Sequence, residues 1–334
     1  MPLISVIVPA FNAESSILET VASVRRQTCR DFEILVIDDG STDGTLAALA
    51  GVRDDRLRLL SFENGGLSAA RNRGIEHSRG EFLAFIDADD LWAPEKLESQ
   101  LDALRRRPDA GIAYSWTAFV DDGGRFLFAK EPQHFEGDVY ADLLRECFIA
   151  SGSNVMIRRR CVDSVGPFDV SLRSAEDWEY WLRVAARWPF VVVPRYQVLY
   201  RLSTRSMSSE VGTIEAASVA VLERGIAAAP PGVECRREEC LANLKQYVAF
   251  LCLTRAAGPD VVAQAGRRLW EAIRLYPRTL LRSKTRRLIG AWLILRLVPR
   301  RAAPRVVRGL LRLHGRWMAL RTPQIRRSAS TMSC

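Results

Sequence analysis

Five short apolar runs, Ile4–Pro9, Phe32–Asp38, Leu57–Phe62, Phe82–Asp87 and Ile112–Val120, fall within the first 120 residues, and every gap between them carries helix signals. This alternation is the pattern of βαβ units, which require a largely parallel sheet covered by helices. Glu14–Thr28 sets Ile17, Leu18, Val21 and Val24 along one face, and Asp43 can cap a short segment holding Leu46 and Leu49. Ser68–Ser78 is a third expected helix, closed by Gly80. Pro94 fits the first turn of a fourth, with Leu97, Leu101 and Leu104, that stops before Pro108. Further on, the spacing predicts helices over Gly137–Cys147 and Glu176–Arg187, a short strand over Asn154–Ile157 and an extended segment over Phe190–Tyr200. After residue 212 only helical signals remain, around Cys240–Leu253 and Asp260–Leu275, beyond a Pro230-Pro231-Gly232 linker.

The chain has 334 residues, 48% hydrophobic and 26% charged, which excludes general disorder and a multi-span membrane protein. Seven scattered cysteines show no paired metal-ligand spacing, so neither a disulfide framework nor a zinc site is expected, and a reducing cytoplasm fits them. The opening MPLISVIVPAFNAE has no basic leader and reads as a first core strand rather than a secretory signal. Charge is distributed unevenly: from Arg267 to Cys334 there are 18 Lys or Arg and a single acid, Glu271, whereas residues 1–266 carry 30 bases and 38 acids. An acidic body with a basic tail is a clue about partners.

In an open parallel sheet, ligands collect at the carboxyl ends of the strands. Three such ends are rich in acids, amides or glycine: PAFN with Glu14 after the first strand, DDGSTDGT (Asp38–Thr45) after the second, and DADD (Asp87–Asp90) after the fourth. Alternation places Asp87 and Asp89 on one side of an extended backbone, where their repulsion is relieved by a hard divalent cation such as Mg²⁺ or Mn²⁺. An acidic turn capping the next helix is the plain alternative. Asp39, ending its strand, can accept the N–H of a nucleobase, or serve turn chemistry alone. NGGLSAARNRG (Asn64–Gly74) opens a helix bearing Arg71 and Arg73, a place suited to a diphosphate or to solvated arginines.

ISVIVPAFN, FEILVIDDGSTDGT, GLSAARNRGI and GEFLAFIDADD, in this order, resemble the signature of family 2 glycosyltransferases with a GT-A fold. The likeness is strong over residues 1–120, moderate to about 210 and absent beyond. It implies a single mixed, largely parallel α/β sheet flanked by helices, a GT-A catalytic domain over 1–212 with a nucleotide-binding half (1–120) and an acceptor half (121–212), and a basic helical C-terminal extension over 213–334. It further implies that Pro9, Phe11, Asn12 and Glu14 line the nucleotide pocket, that Asp39 binds the base with Arg71 near it or the diphosphate, that Asp87 and its neighbour Ala88 hold the donor ribose or sugar, that Asp89 coordinates Mn²⁺ or Mg²⁺, and that Asp90 supports them. A UDP or dTDP sugar is the favoured donor.

On the acceptor side, SAEDWEYWLR (Ser174–Arg183) resembles the segment supplying the family's catalytic base, which places that role on Asp177, with Glu176 orienting the site. A carboxylate within reach of the acceptor hydroxyl takes its proton as it attacks, and one base opposite a leaving group implies inversion. Trp178 or Trp181 could stack on a sugar or fill the core. Gly152, Ser153 and Asn154 could also contact substrate. LYRLSTRSMS (Leu199–Ser208) resembles the family's segment that closes over the donor, with Ser203 where a histidine is often found, and Arg201 or Arg205 as electrostatic substitutes; Ser203–Ser209 then reads as a lid or a plain loop.

The basic tail holds an apolar stretch broken by Arg296, too short for a spanning helix of ~20 residues. Residues 267–327 are therefore read as contacting an anionic membrane surface at the inner face of the cell membrane, the alternative being packing on the acidic body. No nucleic-acid fold signature accompanies the charge. The function implied is transfer of a sugar from a nucleotide carrier to a hydroxyl of a glycan or lipid-linked acceptor in cell-surface polysaccharide synthesis. A nucleotidyltransferase, or an adaptor without turnover, are the competing readings, separated by whether nucleoside diphosphate, pyrophosphate or nothing is released.

Overall fold

A computed structural model of the chain describes residues 1–202, 211–254 and 259–298, with positions 306 and 309. The expected segment Ser203–Ser209, with Arg205, and nearly all of the basic stretch after residue 298 lie outside the described residues.

The five expected strands are present as β1 (Ile4–Ala10), β2 (Phe32–Asp38), β3 (Leu57–Ser61), β4 (Phe82–Phe85) and, after a two-residue β5 (Leu91–Trp92), β6 (Ile112–Val120). β7 (Phe126–Ala129), β8 (Met156–Arg158) and β9 (Phe190–Arg201) complete one nine-stranded sheet in the order β3-β2-β1-β4-β8-β6-β9-β5, with β7 paired to β6. The first four strands of that order are mutually parallel, as are β6 and β9, whereas β8 runs antiparallel between β4 and β6. The sheet is thus mixed and largely parallel.

The continuous apolar strands are explained by burial on both faces. Ile7, Leu35, Ile37, Leu83 and Phe85 point into one core, and Val6, Val8, Ile34, Val36, Phe82 and Ala84 into the other. Helices α1 (Ile17–Arg25) and α4 (Lys96–Arg106) cover the second face with Ile17, Val21, Leu97 and Leu101. The short α2 (Thr45–Ala50) follows β2, and α3 (Leu67–His77) follows β3. α3 lies so close to β1 that a Cβ on Gly74 would stand 2.3 Å from the Cγ2 of Ile7. The first face is shared by α5 (Tyr140–Arg145), α6 (Arg159–Val165) and α7 (Glu176–Ala185).

Beyond the sheet come α8 (Val211–Ala227), α9 (Arg237–Thr254), α10 (Pro259–Leu275), a short 3-10 turn (Pro277–Leu281) and α11 (Ser283–Leu297). The expected C-terminal helices are present. α8 and α9 bury Val221, Leu222, Leu241, Leu244 and Val248 in the same core as α5 and α7, while α10 and α11 form a separate cluster with the end of α9. Sequence reading missed β7 and α6, and began β8 too early. Residues 152–154 form a 3-10 turn, because the Asn154 carboxamide reaches back to accept the Ser115 N–H at 2.6 Å and donate to the Thr117 hydroxyl at 2.7 Å.

Candidate active site

The carboxyl ends of β1, β2 and β4 meet the N-terminus of α7 at one edge of the sheet. Pro9 is buried in β1, and the next turn exposes Phe11 to 51%. Asn12 adopts a left-handed φ of 49°, costly for a residue with a Cβ, and its carboxamide oxygen accepts the Thr42 N–H at 2.8 Å. Glu14 accepts the Gly44 N–H at 3.1 Å, so Asn12 and Glu14 lock the β1 and β2 loops together while Phe11 remains free as an apolar platform.

Asp39, whose backbone N–H donates to the Ala10 carbonyl at 2.8 Å, is buried. Its Oδ1 accepts the Gly65 N–H at 2.9 Å and an Arg73 guanidinium N–H at 2.7 Å, and its Oδ2 accepts the Gly66 N–H at 2.8 Å. Of about four acceptor positions on a carboxylate, one on Oδ2 is left for a ligand. The two glycine amides at this helix start, a place suited to a diphosphate or to solvated arginines, donate to Asp39, and Arg73 lies 4.8 Å over the Phe62 ring.

The acidic turn after β4 divides its carboxylates between two tasks. Asp90 is fully buried and accepts from the Ser153 hydroxyl at 2.5 Å, the Ser151 hydroxyl at 3.2 Å and the Arg201 backbone N–H at 3.1 Å. Burial, then the charges of Asp89 and Asp87, hold its carboxyl well above the usual range. Asp87 and Asp89 remain partly open. The Asp89 carboxyl is pushed up to about 6, first by burial and then by the Asp87 charge. Two repelling carboxylates at a sheet edge are a donor set that a hard dication relieves, and Asp89 with Asp87 fits Mn²⁺ or Mg²⁺. Among the described residues no cluster of three His, Cys, Asp or Glu side chains surrounds one point, so a donor diphosphate would have to supply the remaining oxygens.

The residue capping α7, Ala175, holds a left-handed φ of 59°, and Glu176 and Asp177 open the helix, where the Asp177 carboxylate accepts the Trp178 N–H at 2.7 Å. Arg71, from α3, is 1% exposed and joins the two sides: one guanidinium nitrogen donates to Glu176 at 2.7 Å and another to Asp87 at 2.9 Å. Burial lowers the Arg71 pKa, but the charges of Asp87, Glu176 and Asp177 outweigh it, so the guanidinium stays protonated. The Asp177 carboxyl is pushed up to about 7 by burial first and by Glu176 next. A carboxylate with that pKa is a competent proton acceptor near neutrality.

The family described as glycosyltransferase-like family 2 has a sequence profile that matches residues 5–250. The chain belongs to that family. Its matched stretch is 32% identical over 186 residues to UDP-Glc:alpha-D-GlcNAc-diphosphoundecaprenol beta-1,3-glucosyltransferase WfgD of Escherichia coli, covering 54% of this chain and 69% of WfgD. Against three uncharacterized Rickettsia glycosyltransferases it spans only 27 to 30% of their length. In fold it is similar to Staphylococcus aureus TarS 1-349 in complex with UDP (TM-score 0.57, 19% identity, 94% of this chain and 92% of that one). It is likewise similar to the Pyrobaculum calidifontis mannosyltransferase PcManGT in complex with GDP-Man and Mn²⁺ (TM-score 0.57, 22% identity, 93% and 85%).

Within this family 2 fold, three expected roles change. Arg71 is a buried tie between the carboxylates of Asp87 and Glu176 rather than a free cation. Trp178 is 6% exposed and donates its indole N–H to the Leu143 carbonyl at 2.9 Å, and Trp181 is fully buried; both fill the core, and neither offers a face to a sugar. Arg201 is no free cation for a phosphate: its guanidinium donates to the Asp89 carbonyl at 2.9 Å, the Asp122 carbonyl at 2.5 Å and the Glu19 carboxylate at 2.5 Å. It props the acidic turn from behind. Ala88 is buried, and its carbonyl accepts the Thr20 hydroxyl at 2.9 Å. Ser153 proves central, accepting the Asp87 N–H at 2.9 Å while donating to Asp90, and Gly152 leaves room for Arg71. The sequence signal for this pair was only a small polar triplet.

Proposed function

We propose that the chain is an inverting glycosyltransferase that moves a sugar from a UDP or dTDP sugar to a hydroxyl of a lipid-linked glycan during cell-surface polysaccharide synthesis. The observation that carries this reading is the Arg71 tie, which fixes a base with a pKa of about 7, through its neighbour Glu176, against the carboxylate turn suited to a donor. The substrate class draws support from WfgD, named for its use of UDP-Glc and an alpha-D-GlcNAc-diphosphoundecaprenol acceptor.

Asp177 takes the acceptor hydroxyl proton as its oxygen bonds to the anomeric carbon, while the bond to the nucleotide phosphate breaks and the electron pair leaves with the diphosphate. Phe11 stacks on the base and Asp39 accepts its N–H. Asp87, oriented by Arg71 and Ser153, meets the donor ribose or sugar. A Mn²⁺ or Mg²⁺ ion held at Asp89 would offset the charge that grows on the diphosphate. A carrier lipid as acceptor places the protein at a membrane surface; among the described residues no helix is long and apolar enough to cross one.

The test is a screen of nucleotide sugars with a lipid-diphosphate acceptor and Mn²⁺, reading the nucleotide product. Nucleoside diphosphate release that falls by about 10²–10⁴ in Asp177→Asn is expected. Full activity in both Asp177→Asn and Asp89→Ala removes this mechanism, and pyrophosphate as product removes sugar transfer.

A further inference from the structure

α11 is apolar on two sides. Its inward side buries Leu288 and Leu295 against α10 and the end of α9, with Ala265 and Leu269. Yet Leu293, Ile294 and Leu297 face outward, exposed to 49%, 43% and 87%. Arg286 precedes Leu293 by seven residues and lies on the same stripe, as side chains seven apart do. In the turn leading into the helix, Leu281 is 76% exposed. A helix whose outer face carries large aliphatic side chains is built to have that face covered.

We propose that the outer face of α11 docks on an anionic lipid surface and holds the acceptor side of the cleft against it. Charge selects this occupant. From Arg267 onward the chain has 18 basic residues against one acid, so a second copy docking symmetrically through the same helix would bring the same positive charge to the contact. Residues 299–334 contribute nine arginines and no acid, so covering α11 with that segment would also crowd like charges. An anionic bilayer supplies both the opposite charge and an apolar layer for the leucines.

The position of the helix gives the docking a consequence. Lys284 pairs with Glu146 at 2.9 Å and Arg287 with Glu131 at 2.6 Å, which fixes the start of α11 beside the loop leading to Cys147. Just before this loop, the Leu143 carbonyl of α5 accepts the indole N–H of Trp178, the residue after Asp177, at 2.9 Å, so the loop borders the proposed base. Docking therefore brings a lipid-carried acceptor to Asp177, a conclusion that rests on the lipid-linked reading above.

The test uses the full-length protein and vesicles of phosphatidylcholine with or without phosphatidylglycerol, read by co-sedimentation. Wild type binds the anionic vesicles, and added salt weakens the binding. Leu293→Glu with Leu297→Glu, both at exposed positions, reduces the partition about tenfold or more. Arg286→Glu weakens it and flattens the salt dependence. Equal binding by wild type and the double variant overturns the proposal, as does equal binding to neutral vesicles. A shift of the double variant from dimer to monomer without lipid assigns the face to a second copy and overturns it too. Diphosphate release to a short soluble acceptor stays unchanged in the double variant. Its absence in both proteins, with the vesicle difference intact, sinks the enzymatic reading and leaves the docking face standing.

Discussion

Asp177 shows how a single side chain trades stability for chemistry. Its carboxyl rises from an ordinary value of 3.8 to about 7 in the folded protein, so over that window the native state binds more protons than the unfolded chain. Stability due to this group is therefore present at low pH and lost as pH rises through about 7. Asn cannot ionise, so Asp177→Asn is expected to melt at a higher temperature than wild type at about pH 8, with the gap closing toward about pH 4, as thermal unfolding across pH will show. Activity is expected to run the other way: with Asp177 as the base, the wild-type rate measured across pH should climb as it deprotonates around pH 7. Trp178 makes the opposite case. Because its indole is a core group with one hydrogen bond, Trp178→Phe should cost about 1 kcal/mol of stability in denaturant unfolding and leave the acceptor KM unchanged. A large rise in KM at full stability would return Trp178 to the cleft.

At the scale of elements, the site is assembled by loops that hold one another. The acidic turn between β4 and β5 is clamped from below by the 152–154 turn and from behind by Arg201 at the end of β9. A Cβ at Gly152 would stand 2.5 Å from an Arg71 guanidinium nitrogen. Gly152→Ala is thus expected to displace the Arg71 tie, lowering stability by about 1–3 kcal/mol and reducing turnover more than donor affinity. Wild-type kinetics in that variant would show the tie to be dispensable. The elements missed in the sequence are short and local. β7 follows Asp121-Asp122-Gly123-Gly124, a turn signal with Gly124 at φ 73°, but its four residues carry too little periodicity to stand out.

At the scale of the whole molecule, the C-terminal helices belong partly to the core. Val221, Leu222, Cys240, Leu241, Leu244 and Val248 are buried with the residues of α5 and α7. Stripping them away exposes apolar surface worth on the order of 10 kcal/mol, comparable to the whole stability of a domain. A fragment of residues 1–212 should consequently fail to unfold cooperatively in urea, whereas one ending after α9 should do so. A sharp transition in the shorter fragment would make the sheet domain independent.

The strands of the first half, the sheet edge bearing PAFN, DDGST and DADD, and the helix opening on Glu176 and Asp177 were legible in the sequence, because strand periodicity and acids at element ends are local patterns. The uses of Arg71, Arg201, Trp178 and Ser153 were not. Each depends on partners between 16 and 182 residues away. An arginine facing phosphate and one buried between carboxylates have the same letter and the same helix position; only the approach of α7, β4 and β9 through the folded core decides which it is.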